Sequence, residues 1–247
     1  IKPQDATTNP SLILKSIKQK YKSVNEAIVD IGCQIYDIVP GYISTEVDAS
    51  YSFDTNETVR EALEIISLYK KAGVDTSRIL IKIAATWQGI QAAKILENEL
   101  GIKCNLTLIF SLTQAIACAE ANVTLISPFV GRVTDYYKAN NILYNEDPGV
   151  LLVKSIYKYF KEHNYKTIIM GASFRNIEQI CRLNGCDRLT ISPQLILELE
   201  KTCDDIHTNL SDTIEADTNE EKRHIDENTF YVELAENVMA STKLNEG

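Results

Sequence analysis

Six short apolar runs rich in β-branched residues alternate with longer segments of helical period, and this alternation constrains the fold more than any other property of the chain. The runs are GYISTEVDA, RILIKIAA, KCNLTLIF, NVTLISPFV, KTIIMGAS and DRLTISP. Between them lie amphipathic stretches such as VREALEIISLYKKAG, closed by glycine, and TWQGIQAAKILENELG, opened by a threonine cap and also closed by glycine. Strand then helix, repeated, predicts a parallel sheet with crossover helices. At 247 residues the chain has the length of one α/β barrel, so a single domain over 1–247 is expected.

Charge and composition exclude several functions. A formal net charge of −9 argues against a broad nucleic-acid surface, which needs a basic face, and any anionic substrate must be held by a few local arginines. No apolar run approaches the roughly 20 residues that span a bilayer, so neither a membrane nor a nucleic acid is an expected partner. The six cysteines (33, 104, 118, 181, 186, 203) form no CxxC pair and have no histidine at zinc-ligand spacing, which points to a reduced, cytoplasmic setting without a structural metal. Residues 201–228 are polar, acidic and almost without hydrophobic period, so the barrel is expected to end near residue 200, followed by this segment and a C-terminal helical region.

Side chains alternate across a strand, so each run has two faces. Leu80, Lys82 and Ala84 share one face, opposite Ile79, Ile81 and Ile83; Ser44, Glu46 and Asp48 share another; Asn105, Thr107 and Ile109 a third. In a barrel the polar faces meet inside, near the carboxyl ends of the strands, and later strands add Ser127, Ser173 and Thr190. A lysine among isoleucines then has two readings. Held out of water, a lysine gives up its proton more readily and becomes a nucleophile able to form a Schiff base with a ketone. Equally, Lys82 is a structural cation neutralised by Glu46.

DATTNPSLI at residues 5–13 and ILIKIAATWQGI at 79–90 resemble the two signature segments of transaldolase, and STEVDA, CNLTLIFS, ISPFVGR and MGASFRN follow in that family's order. The resemblance implies a (β/α)8 TIM barrel of the class I aldolase type, in the pentose phosphate pathway. Such an enzyme moves a dihydroxyacetone unit from sedoheptulose 7-phosphate or fructose 6-phosphate to glyceraldehyde 3-phosphate or erythrose 4-phosphate. It needs no metal or organic cofactor, because the protonated imine withdraws the electrons. It also implies roles. Lys82 matches the Schiff-base lysine, and Glu46 and Thr107 match the pair that holds a catalytic water. Asn9, Asn105 and Ser127 match groups that bond substrate hydroxyls, with Thr7 nearby. Arg132, Arg175 and Ser173 match the phosphate site, and Phe129 an aromatic position in the pocket. Homodimers are common in the family.

Two departures stand out. The family's first strand, which carries an aspartate acting as general acid/base, is expected to be missing, and Asp5 belongs to the signature itself. The segment before GYISTEVDA is also shorter than the family pattern, with a gap expected near residues 15–25. The nearest rival function is a fructose 6-phosphate aldolase, which shares the imine but needs no acceptor. A second is an impaired barrel kept for binding. Among the remaining residues, Asp48 is expected to cap the residues after it, Trp87 to pack at a helix start, and His163, His207 and His224 to lie at the surface.

Overall fold

The computed structural model describes residues 3–8, 21, 23–201, 210 and 221–247. Seven strands occur among them, in the order β1 to β7 along the sheet: Ala6–Thr7, Ile43–Glu46, Ile79–Ala84, Cys104–Ile109, Leu125–Pro128, Ile168–Gly171 and Arg188–Leu189. Parallel strands paired in chain order, each followed by helix, are the pattern of the (β/α)8 barrel, and this is the fold class. Each of the six apolar runs contains one strand; the last is only two residues long, and Thr190 lies just beyond it.

Two compact units divide within β4, between Leu106 and Thr107. The first holds β1, helix α1 (Val24–Tyr36), β2, α2 (Thr55–Lys71), β3, α3 (Trp87–Asn98) and the start of β4. Its helices begin where the sequence offers caps. Asp54 accepts the Glu57 amide and Thr86 the Gly89 amide. Lys70 and Lys71 occupy the last turn of α2, where cations complement the helix dipole. Asp48 caps the short 3₁₀ turn Ala49–Tyr51 through the Ser50 amide, as expected of it, and Trp87 is the first residue of α3. β1 and β2 run parallel, as do β2 and β3, with Ser44 opposite Leu80 and Glu46 opposite Lys82. Ile79, Ile81 and Ile83 are fully buried with Ile43, Ile65 and Tyr69, whose hydroxyl is 2.6 Å from Thr45 Oγ1.

The second unit continues from β4 through α4 (Leu112–Glu120), β5, α5 (Val130–Ala139), α6 (Pro148–Glu162), β6, α7 (Ile177–Arg182), β7 and α8 (Pro193–Leu199), then α9 (Glu227–Glu236) and α10 (Val238–Glu246). The C-terminal helices are docked. Ala240 and Leu244 of α10 pack with Phe110 and Val133, and Leu108, Phe129 and Met239 border that cluster. Glu233 of α9 bonds Thr113 and Arg223.

Two expectations change. Leu108 has φ 58°, so strict alternation along β4 is interrupted there and Ile109 does not follow Asn105 and Thr107 by pattern alone. His163 is not a free surface residue: its ring lies 4.2 Å from that of Tyr159 and its Nε2 is buried without a hydrogen-bond partner. His224 is largely exposed and pairs with Glu120. His207, Cys203 and most of residues 15–25 lie outside the described residues.

Candidate active site

The lysine that opens the chemical question is 9% exposed, and its Nζ sits 2.6 Å from Glu46 Oε2. The pairing follows from register. Glu46 ends β2 directly opposite Lys82 on β3, and both side chains project to the face away from the isoleucines. Lys82 Nζ also lies 3.5 Å from the Thr8 carbonyl, just past β1. Asn105, fully buried on β4, donates to Ser44 Oγ at 3.0 Å, so the polar faces of β2 and β4 meet as alternation predicts. Thr7 Oγ1 is buried without a hydrogen-bond partner. Asn9 lies outside the described residues.

This arrangement contains the pairing that a structural lysine requires. It also contains what a nucleophilic lysine requires, a carboxylate in bonding contact that can take up its proton. Asp5 is committed elsewhere: its Oδ1 accepts the Tyr42 amide at 2.7 Å. Cys104, next to Asn105, is no competing nucleophile, because burial, with a contribution from Glu97, pushes its thiol well above the ordinary range.

In the second unit Thr107 is 1% exposed and its Oγ1 has no hydrogen-bond partner. A buried orphan hydroxyl costs stability unless a water or a ligand group completes it. Ser127 is buried at the end of β5. Phe129, two residues on, stacks edge-on against Phe110, while the Arg132 guanidinium lies 5.3 Å from the Phe129 ring centre. No carboxylate pairs with Arg132 among the described residues. Ser173, two residues past β6, is in a left-handed conformation at φ 63°, and Arg175 Nη1 lies 3.3 Å from Ser173 Oγ. Arg175 also forks onto Asp135 of α5, through Nε at 3.0 Å and Nη2 at 2.8 Å.

The expected residues thus fall into two clusters. Glu46 and Lys82 form one, with Thr7 and Asn105 on the neighbouring strands of their unit. Phe129 and Arg132 start α5, with Ser173 and Arg175 on the loop that α5 contacts. Sequence reasoning missed the Thr8 carbonyl, the Ser44–Asn105 bond and Asp135. Thr8 was within reach, since it lies inside DATTNPSLI. Asp135 gives no signal on an amphipathic helix.

Across its whole length, residues 1–247, the chain matches the family model described as transaldolase/fructose-6-phosphate aldolase. It is 50% identical to a probable transaldolase of Drosophila melanogaster, covering 100% of this chain and 83% of that protein. A transaldolase of Pseudoalteromonas atlantica is 50% identical and transaldolase B of Pasteurella multocida 48%, each over 99% of this chain and 85% of the relative. The Drosophila alignment runs over 274 positions for a chain of 247 residues, so that relative carries internal residues without a counterpart here.

Proposed function

Because the chain belongs to the transaldolase/fructose-6-phosphate aldolase family and has transaldolase activity, we propose that it acts through a Schiff base on Lys82, transferring a dihydroxyacetone unit between sugar phosphates. The donors on this reading are sedoheptulose 7-phosphate or fructose 6-phosphate, and the acceptors glyceraldehyde 3-phosphate or erythrose 4-phosphate. The setting is the pentose phosphate pathway of the cytoplasm. One observation carries the reading: a lysine almost excluded from water, in hydrogen-bonding contact with a carboxylate.

The chemistry can be followed atom by atom. Lys82 must shed a proton to attack, and Glu46 Oε2 stands 2.6 Å away to receive it. The amine adds to the ketone carbon; the resulting carbinolamine loses its hydroxyl as water once that oxygen is protonated, leaving an iminium. Glu46 and Thr107 are assigned to this proton traffic through a water, for which the unpartnered Thr107 hydroxyl has bonding capacity to spare. When the carbon–carbon bond breaks, the hydroxyl on the departing carbon gives up its proton to water and becomes the carbonyl of a released aldose, while the bond's electron pair flows into the iminium and an enamine remains on the enzyme. The enamine then attacks the acceptor aldehyde, and hydrolysis frees the lysine.

Thr7, Asn9, Asn105 and Ser127 are assigned to the substrate's hydroxyls and Phe129 to its pocket. Arg132, Ser173 and Arg175 are assigned to the phosphate. Guanidinium forks beside a hydroxyl match a phosphate dianion and explain how an acidic protein captures one. The loss of an acceptor-dependent turnover would turn the reading toward the aldolase.

The test is borohydride reduction with fructose 6-phosphate followed by peptide mass analysis. A single reduced adduct on the Lys82 peptide is expected, with turnover requiring an acceptor aldose. An adduct on another lysine, or none in folded protein, refutes the imine assignment.

A further inference from the structure

Three side chains remote from Lys82 in sequence form a closed polar network on the elements that carry Arg132 and Arg175. Gln179 and Thr134 are each only 2% exposed. Gln179 Oε1 accepts the backbone N–H of Arg175 at 2.8 Å, while its Nε2 donates to Thr134 Oγ1 at 3.0 Å and to Asp147 Oδ2 at 2.8 Å. Thr134 Oγ1 lies 3.0 Å from both Asp147 oxygens. Asp147 in turn caps α6 by accepting the Gly149 and Val150 amides, with Pro148 at the first helical position. The amide of Gln179 thereby uses its oxygen and both hydrogens, and a buried network so satisfied is rigid.

The network joins the two elements that carry the arginines. Thr134 sits two residues after Arg132 on α5, and Gln179 holds the amide of Arg175 itself. The Asn176 side chain accepts the Gln179 N–H at 2.9 Å, so α7 starts with a reciprocal cap displaced by one residue toward Arg175. At the other end of the contact, Val130 N–H donates to Ala172 O and Gly131 N–H to Ser173 O, both at 2.8 Å. A Cβ on Gly131 would run into the Ser173 carbonyl and the Arg175 side chain, so only glycine permits that approach.

We propose that Gln179, Thr134 and Asp147 are positioning residues for phosphate recognition: they lock the α5 turn bearing Arg132 to the loop bearing Ser173 and Arg175, fixing the two guanidiniums in one relation. This rests on the assignment of those three residues to the phosphate. The loop needs such a lock, because Ser173 occupies a left-handed conformation that a side-chain-bearing residue rarely adopts unaided.

The experiment uses inorganic phosphate as a competitive inhibitor against fructose 6-phosphate, alongside borohydride trapping of dihydroxyacetone, which carries no phosphate. Gln179→Met keeps the side chain's length and removes its bonds. The inhibition constant for phosphate is expected to rise on the order of tenfold with trapping of dihydroxyacetone unchanged. Thr134→Val, which leaves the Gln179–Asp147 bond in place, is expected to give a smaller shift in the same direction. An unchanged phosphate constant, or equal losses in phosphate binding and trapping, overturns the proposal. Should Gln179→Met not fold, Thr134→Val is decided by the same two readings. Arg175→Ala separates the premises: if it leaves the phosphate constant unchanged, the phosphate assignment itself is wrong. Failure of the wild-type protein to trap dihydroxyacetone refutes the lysine chemistry instead.

Discussion

Lys82 and Glu46 can be pulled apart by a double-mutant cycle. Their side chains are 11% and 18% exposed and meet at 2.6 Å, so each charge is largely desolvated and the other is its main compensation. Removing one partner of a buried pair costs about 3–5 kcal/mol, because the remaining charge is left uncompensated. Glu46 retains some water, which lowers the expectation to about 2–3 kcal/mol for either single change. Lys82→Met keeps the aliphatic stem and Glu46→Gln keeps a hydrogen-bond acceptor, so packing is disturbed little. In a chain of this size each kcal/mol moves the midpoint by roughly 2–4 °C, giving a fall of roughly 5–10 °C for each single variant. The double variant removes both charges and is expected within about 1 kcal/mol of wild type, since neither charge is then left uncompensated in the interior. The cycle should therefore yield a coupling of roughly 3–6 kcal/mol, measured by urea and thermal unfolding. Added salt should barely change it, in contrast to the exposed Arg175–Asp135 pair. If the single changes add to within about 0.5 kcal/mol, the two charges do not depend on each other and the argument fails. Glu46 would then be a poor candidate for receiving the lysine's proton.

Other consequences come from burial alone. Burial raises the Glu61 carboxyl above its ordinary range, outweighing the bonds it accepts from the Asp48 amide and the Asn25 side chain. The folded state therefore holds that proton more tightly than the unfolded chain, and stability is lost as pH rises through the folded-state titration. Glu61→Gln should accordingly raise the unfolding midpoint near neutral pH and lose that advantage in acid; an equal gain at both pH values would refute it. Among the cysteines, burial pushes the Cys186 thiol up to about 11 and raises those of Cys104 and Cys118 as well. Iodoacetamide applied to native protein should label Cys33 and Cys181 before these three, and peptide mass analysis showing equal labelling would contradict the packing described.

The legible part of this molecule is its periodicity. Alternation along ISTE and ILIKIA was enough to place Glu46 and Lys82 on polar faces, and the parallel register put them opposite each other. Caps were equally legible, because Asp48 and Thr86 stand immediately before the turns they open. The left-handed residues were not. Leu108 and Ser173 have φ 58° and 63° with no glycine or asparagine to announce them, and each is imposed by tertiary neighbours. Leu108 borders the cluster formed by α10 and α5, and its carbonyl is held by Gln114 Nε2 at 3.0 Å; Ser173 is held through its carbonyl by Gly131.

Buried glutamines were invisible for a related reason. Gln114 and Gln179 each sit in the first turn of a helix that comes after a strand, where polar residues ordinarily face water. Yet Gln114 accepts the Phe110 amide and Gln179 the Arg175 amide, each reaching back four residues to tie down the loop that leaves the strand. Two loops at the ends of different strands thus use one device. An amide side chain suits it because one group must supply an acceptor and donors together, without placing a charge where water is excluded. Glutamate in the same place would keep the acceptor and lose the donors, and at position 179 it would set a second carboxylate against Asp147. The choice of glutamine is therefore dictated by the bonding that each loop requires, which exists only once the strands and helices have assembled.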